Sequence, residues 1–142
     1  MKEIICPYCH IPIKDHPVTA CLDAVVAKNV MGWHLEQGPP YRGSDPCWCS
    51  PIEGRPCGLG QRLEKYWEPS TNISDAMEGE SLLEKETREH KARYCGILKE
   101  VIAHDLGYPK DSYPLDLEFE MVHATARQRT RALIFWAMEK EG

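Results

Sequence analysis

The chain has no run of about 18 apolar residues, so it offers no candidate for a membrane-spanning helix. Residues 1–6 turn polar too early for a signal peptide, and we expect a cytoplasmic protein with no membrane partner. Basic residues are not in excess, because the chain has 17 Lys and Arg but 22 Asp and Glu, which gives a net charge of −5. Duplex DNA binding depends on cations that neutralise phosphates, so this balance disfavours DNA as a partner.

Glycine-rich phosphate loops and catalytic signatures are also missing, whereas cysteine is plentiful. Five of the seven cysteines fall into two compact groups, Cys6-Pro7-Tyr8-Cys9 and Cys47-Trp48-Cys49 with Cys57. Disulfides are rare in a reducing compartment, so this spacing favours metal or redox chemistry over cross-linking. A C-x-x-C turn directs two thiolates at one ion, and tetrahedral zinc needs two further ligands.

The sequence therefore predicts a structural Zn²⁺ site formed by Cys6, Cys9, Cys49 and Cys57. Cys57 is preferred because a glycine follows it, as is typical of a zinc knuckle. The reserve ligands are Cys47, His10, His16 and His34. Unligated thiols and a redox or catalytic site are the alternatives. A closed site would order the long Pro- and Gly-rich segment 38–60 and would contribute folding free energy rather than catalysis.

The remaining chain predicts mostly helices. Apolar residues at helical spacing indicate helices over 20–31, two within 72–106 and one over 126–140, after N-cap Thr125. Gly32 and Gly107 are placed to end two of them. A short strand is expected at 33–35, and the alternation of polar and apolar residues over 116–122 predicts a second strand. Cys21 and Cys95 lie at apolar helical positions, which favours buried structural thiols.

Three segments resemble the phage ABA sandwich family, found in phage and prophage genomes. They are 22–33, which ends in Met31-Gly32-Trp33, the capped segment 69–76, and the start of the last helix at 123–133. The resemblance implies helices packed against a small sheet and carries over no activity or catalytic residues. The Cys6/Cys9 segment and the insertion at 38–60 depart from the family pattern.

The predicted fold is therefore α+β, with helices on a small β-sheet in an α-β-α sandwich-like arrangement and a zinc-stabilised lobe. We expect one domain over 1–142, with 1–17 and 38–60 forming the lobe and 18–37 and 61–142 the sandwich.

The resemblance, together with the missing catalytic signature, favours a non-enzymatic accessory protein acting in the host cytoplasm. Its partner would be a host protein or a nucleotide-type signal in a defence pathway, and a homo-oligomer is left open. Trp48, expected to be exposed between two ligands, is a candidate contact residue. Arg127 and Arg131 are candidates on a basic helix face, although a solvated face is the simpler interpretation.

Two other functions stay open. His34-Leu35-Glu36 followed by Pro46-Cys47-Trp48-Cys49 is similar to the signature of zinc nucleoside deaminases, which predicts a nucleotide hydrolase or deaminase. The match fails in cysteine spacing and in the absence of a helix around His34. The third function is a zinc-ribbon nucleic-acid module that uses Arg127, Arg129 and Arg131.

Overall fold

The fold is seen in a computed structural model, which describes residues 3–17, 20–37, 45–49, 62–109 and 117–141. Its helices are α1 (Ala20–Val25, continued by a π-helical turn, Val26–Val30), α2 (Ile73–Glu80), α3 (Arg88–Leu106), α4 (Leu117–Val122) and α5 (Ala126–Glu141). Short 3-10 turns occupy Ile13–Asp15, Glu64–Tyr66 and Ser81–Lys85. With the small sheet described next, this arrangement confirms the α+β class.

The strands β1 (His34–Glu36), β2 (Cys47–Cys49) and β3 (Arg62–Leu63) form an antiparallel sheet in the order β1-β2-β3. The expected strand at 33–35 is confirmed as β1, shifted by one residue. The long Pro- and Gly-rich segment 38–60, in which no strand was expected, contains β2 at residues 47–49.

Side-chain caps explain where the helices begin. Asn72 Oδ1 accepts hydrogen bonds from the backbone N–H groups of Ser74 and Asp75, at 2.9 and 3.3 Å. The Thr87 hydroxyl caps α3 in the same way, so the two helices expected within 72–106 are confirmed. Thr125 and Gln128 bond reciprocally at the start of α5. These helix starts could be predicted from the sequence because an N-cap needs a short oxygen-bearing side chain at one position.

Helix α5 is the centre of the core. It packs against α2, α3 and the π-helical turn, and residues 130–137 of it are all buried. Gly79 of α2 lies so close to this helix that a Cβ atom there would be 2.8 Å from Leu133 Cδ1. Trp48 of β2 and Trp67 join the same core and connect the sheet to the helices.

The strand predicted over 116–122 is wrong, because Leu117–Val122 form α4. Leu117 is buried and Met121 half-buried, one helical turn apart, whereas Phe119 and Val122 are exposed. Helical spacing therefore selects which apolar residues face the core, and the apparent alternation does not. Residue 116 lies outside the described ranges.

Candidate metal centre

The N-terminal cysteines lie on a tight turn. The Cys6 N–H donates to Ile11 O, the His10 N–H donates to Cys6 O, both at 3.0 Å, and Ile13 N–H donates to Ile4 O at 2.8 Å. His10 adopts a left-handed conformation with φ of 64°, a region that favours glycine. This backbone brings Cys6 and Cys9 to the same side of the turn, as the C-x-x-C spacing predicts.

Two more ligand-type side chains face this turn. His16 follows the 3-10 turn Ile13–Asp15 and is fully buried, and Cys21 lies in the first turn of α1. The ligand atoms of Cys6, Cys9, His16 and Cys21 all lie within 4.8 Å of one another. All four belong to a stretch of chain from 6 to 21, so a local segment supplies the whole set.

The sulfur–sulfur distances match a tetrahedral ion. Cys21 Sγ lies 3.9 Å from Cys6 Sγ and 3.7 Å from Cys9 Sγ. A zinc ion at about 2.3 Å from each sulfur holds two tetrahedral sulfurs about 3.8 Å apart, whereas a disulfide would need about 2.05 Å. His16 Nε2 lies 3.1 Å from Cys9 Sγ and 3.2 Å from Cys21 Sγ. The four atoms therefore surround a space of the size that one metal ion needs.

The surroundings set the chemical state of two ligands. His16 Nδ1 lies 2.7 Å from the Pro17 carbonyl oxygen, which can only accept, so Nδ1 carries a proton and Nε2 is the nitrogen that faces the cluster. The Ile11 backbone N–H lowers the pKa of the Cys9 thiol to about 7, with smaller contributions from Cys6, Cys21 and His16. A neutral imidazole and a readily formed thiolate are the states that bind a metal.

Two arginines of α5 hold this region against the helical core. Arg127 Nε donates to the His16 carbonyl oxygen at 2.8 Å, and Arg131 donates to the Lys14 carbonyl oxygen. Arg131 is fully buried and pairs with Asp105. We call residues 3–17 with Cys21 the metal lobe, and these arginines connect it to α5.

The structure places three of the four predicted ligands. Cys6 and Cys9 lie together as expected, whereas Cys49 lies in a different group with His34 and Glu36. Cys57 is outside the described residues, so its role stays a prediction. His16, a reserve ligand, and Cys21, assigned to an apolar helix face, complete the N-terminal cluster instead. The compact spacing of Cys6, Cys9, His16 and Cys21 was the signal that could have identified them.

The predicted contact residues are placed differently from expectation. Trp48 was expected to be exposed, but its side chain is only 3% exposed and packs in the core. Arg127 and Arg131 were expected on a solvated or nucleic-acid-binding face, but both bind backbone carbonyls of the metal lobe. Arg129 pairs with Glu80 at 2.8 Å. Their positive charges are therefore used within the chain.

A cleft of about 420 Å³ lies against α1. Its lining combines aromatic side chains with charged and polar ones: Asp23 and Ala24 of α1, Trp48, Trp67, Ser70, Lys65, Glu64 and Glu68. Burial raises the pKa of Asp23 to about 6, and one of its oxygens accepts the Ser70 backbone N–H at 2.8 Å. The buried Ser70 hydroxyl has no hydrogen-bond partner among the described residues. Aromatic walls with a few polar groups are typical of small-molecule sites.

Comparison with known proteins gives no family, because no family model, curated protein or solved structure matches this chain. Within the described ranges, every helix is too short or too polar to cross a bilayer.

Proposed function

We propose that the protein binds Zn²⁺ at Cys6, Cys9, His16 and Cys21, and that this ion is structural. The observation that carries the proposal is the convergence of three sulfurs and one imidazole nitrogen within 4.8 Å of one another, with Cys21 Sγ at 3.9 and 3.7 Å from the other two sulfurs. Three cysteines and one histidine form a common structural zinc set that fills all four positions and leaves none for substrate. The ion would tie the N-terminal turn to α1 and contribute to folding.

Metal analysis of single-site variants tests this proposal. Cys9→Ala and His16→Ala should each lose one zinc ion per chain relative to the wild type, because three ligands hold zinc more weakly than four. His16→Cys should keep it, since a fourth sulfur replaces the imidazole, and X-ray absorption should then report one additional Zn–S bond. Cys95→Ala is the control, because Cys95 is an exposed thiol on α3, and the prediction of a buried thiol there is wrong. Unchanged zinc content in Cys9→Ala and His16→Ala would refute the assignment.

For its role, we propose a non-enzymatic accessory protein that takes a nucleotide-type ligand in the cleft beside Asp23 of α1. The resemblance to the phage ABA sandwich family supports a phage or prophage origin, and action in the host cytoplasm follows from that origin. The cleft supports a small ligand: Asp23 can accept a hydrogen bond from a base amino group, Lys65 can contact a phosphate as well as its partner Asp45, and the buried side chains of Trp48 and Trp67 form part of the wall. Cys21 and Asp23 both lie on α1, so the zinc ion would also position the cleft.

Tryptophan fluorescence titrated with AMP, GMP, CMP and UMP tests this role. At least one nucleotide should change the emission with saturation, because two tryptophans line the cleft. Asp23→Asn should weaken that binding about tenfold by removing a charged acceptor, at an expected cost near 1.4 kcal/mol. Lys85→Ala, an exposed substitution on the Ser81–Lys85 turn away from the cleft residues, is the control. No response to any of the four would count against a nucleotide and leave a host protein as the partner to seek.

A zinc-dependent nucleotide deaminase or hydrolase is the second candidate, favoured by the proximity of His34, Glu36 and Cys49. That chemistry needs the glutamate as an acid–base group outside the coordination sphere. Here Glu36 Oε2 lies 3.3 Å from Cys49 Sγ, and His34 is on a strand rather than a helix. Glu36→Gln separates the two functions: a deaminase would lose turnover and keep its metal, whereas a ligand position would lose metal.

A further inference from the structure

The sheet places a second set of metal-binding side chains on one face. In the β1–β2 register, His34 is opposite Cys49 and Glu36 is opposite Cys47. Opposite residues in an antiparallel pair share a face, and so do residues two apart on one strand. His34, Glu36, Cys47 and Cys49 therefore all lie on the same face, which we call the four-donor face. Leu35 and Trp48 lie on the other.

Three of these donors already converge. His34 Nε2 lies 2.8 Å from Glu36 Oε1, and Cys49 Sγ lies 3.3 Å from Glu36 Oε2. The ligand atoms of His34, Glu36 and Cys49 lie within 4.8 Å of one another, the same closeness as in the N-terminal cluster. Burial differs along the group: Cys49 is 3% exposed, whereas the His34 and Glu36 side chains are 53% and 42% exposed. The sulfur forms the base of a shallow site whose mouth faces solvent.

Cys47 can supply a fourth donor. It is 2% exposed, and its Sγ makes a long contact of 3.5 Å with the Asp45 carbonyl oxygen. A thiol at that distance from a carbonyl forms only a weak hydrogen bond, whereas a thiolate on zinc forms a coordinate bond. Because Cys47 lies on the four-donor face opposite Glu36, coordination requires a rotation of its side chain.

We propose that the four-donor face is a second zinc site, separate from the N-terminal cluster, with His34, Glu36 and Cys49 as ligands and Cys47 as the fourth donor. Sulfur with imidazole and carboxylate is a donor set that suits Zn²⁺ better than Mg²⁺ or Ca²⁺, which prefer oxygen alone. An ion here would connect β1 to β2 through side chains, in a sheet whose strands are only two or three residues long. Such short strands have few backbone hydrogen bonds to hold them together.

Zinc stoichiometry of the full chain, loaded with Zn²⁺ alone and desalted, tests the second site. Wild type should hold two ions per chain. Cys49→Ala, Cys47→Ala and His34→Ala should each hold one, and Cys9→Ala should also hold one by losing the other ion. The pair Cys9→Ala with Cys49→Ala should hold none. One ion in wild type that Cys9→Ala removes and Cys49→Ala does not would overturn the second site while leaving the first intact.

Misfolding could also lower the zinc content, so His34→Ala is the decisive variant. Its side chain is about half exposed, and removing it from an exposed strand position should leave the fold unchanged. Its circular dichroism spectrum should match that of the wild type while one zinc ion is lost. Sulfur coordination averaged by X-ray absorption should rise in His34→Ala, because the ion that stays is bound by three cysteines. Two zinc ions in a folded His34→Ala would contradict the proposal.

Discussion

At the residue scale, His16 shows how one side chain acquires a role that its sequence context does not announce. Its Nδ1–H donates a hydrogen bond to the Pro17 carbonyl, and its own carbonyl accepts one from Arg127, so both ring and backbone are fixed. The sequence allowed His16 only as a reserve ligand, because nothing local distinguishes it from His10 or His34. What selects it is the geometry of the turn before α1, which no periodicity describes.

His10 offers a test of the turn that holds Cys6 and Cys9. It has φ of 64°, which costs a residue with a Cβ roughly 1 kcal/mol relative to glycine. His10→Gly should therefore raise the free energy of unfolding of the zinc-loaded protein by about 0.5–1 kcal/mol, measured by denaturant titration. His10→Ala is the matched control, because it removes the imidazole but keeps the Cβ, and it should not stabilise. Equal gains from both variants would assign the effect to the imidazole instead.

At the element scale, local signals predicted helices well and the sheet poorly. Asn72, Thr87 and Thr125 cap α2, α3 and α5, and caps of this kind act through the nearest backbone N–H groups, so the sequence contains them. The strands of two or three residues are formed by pairing between distant segments, and α4 carries a pattern of mixed period. Both depend on packing, which a local pattern does not report.

The same distinction applies to the candidate metal ligands. Cys6 and Cys9 were predictable because a C-x-x-C spacing fixes two sulfurs on one turn. The group to which Cys49 belongs depends on the register of β1 and β2. This register places Cys49 beside His34 and Glu36 rather than with Cys6. A single ion shared by distant cysteines was the simplest prediction from the sequence alone, and the geometry favours two separate groups.

Gly79 and Gly96 form a matched pair of helix glycines. Glycine in a helix costs about 1 kcal/mol relative to alanine, so Gly96→Ala, with no atom within 4 Å of the new Cβ, should stabilise by about that amount. Gly79→Ala should not, because its Cβ would be 2.8 Å from the buried Leu133 Cδ1 and the core would have to shift. Chemical denaturation of both variants measures the difference. A Gly79→Ala variant as stable as Gly96→Ala would mean that α2 and α5 are not in close contact.

At the scale of the whole molecule, α5 connects the metal lobe to the core. Arg127→Met should speed zinc transfer to a chelator about tenfold, because the lost bond to the His16 carbonyl, worth about 1.4 kcal/mol, helps to fix a ligand. Arg129→Met is the matched control, because Arg129 also lies on α5 but binds Glu80 and the Ala124 carbonyl instead of the lobe. It should lower stability without changing the transfer rate. Equal acceleration in both variants would indicate a general loosening of α5.

Removal of zinc should affect the molecule unevenly. The N-terminal cluster joins residues 3–17 to α1, whereas α3 and α5 are held by a core of apolar side chains such as Leu98, Val101 and Leu133. After chelation, amide hydrogen exchange should therefore accelerate first in the lobe and α1, and the apolar core should keep α3 and α5 protected. Mass spectrometry of exchange with and without a chelator measures this. In the chelated wild type, Arg127 and Arg131 still bind the lobe. Arg127→Met should therefore increase the acceleration of hydrogen exchange on chelation in the lobe and nowhere else. Uniform acceleration across α3 and α5 would mean instead that the whole fold depends on the metal.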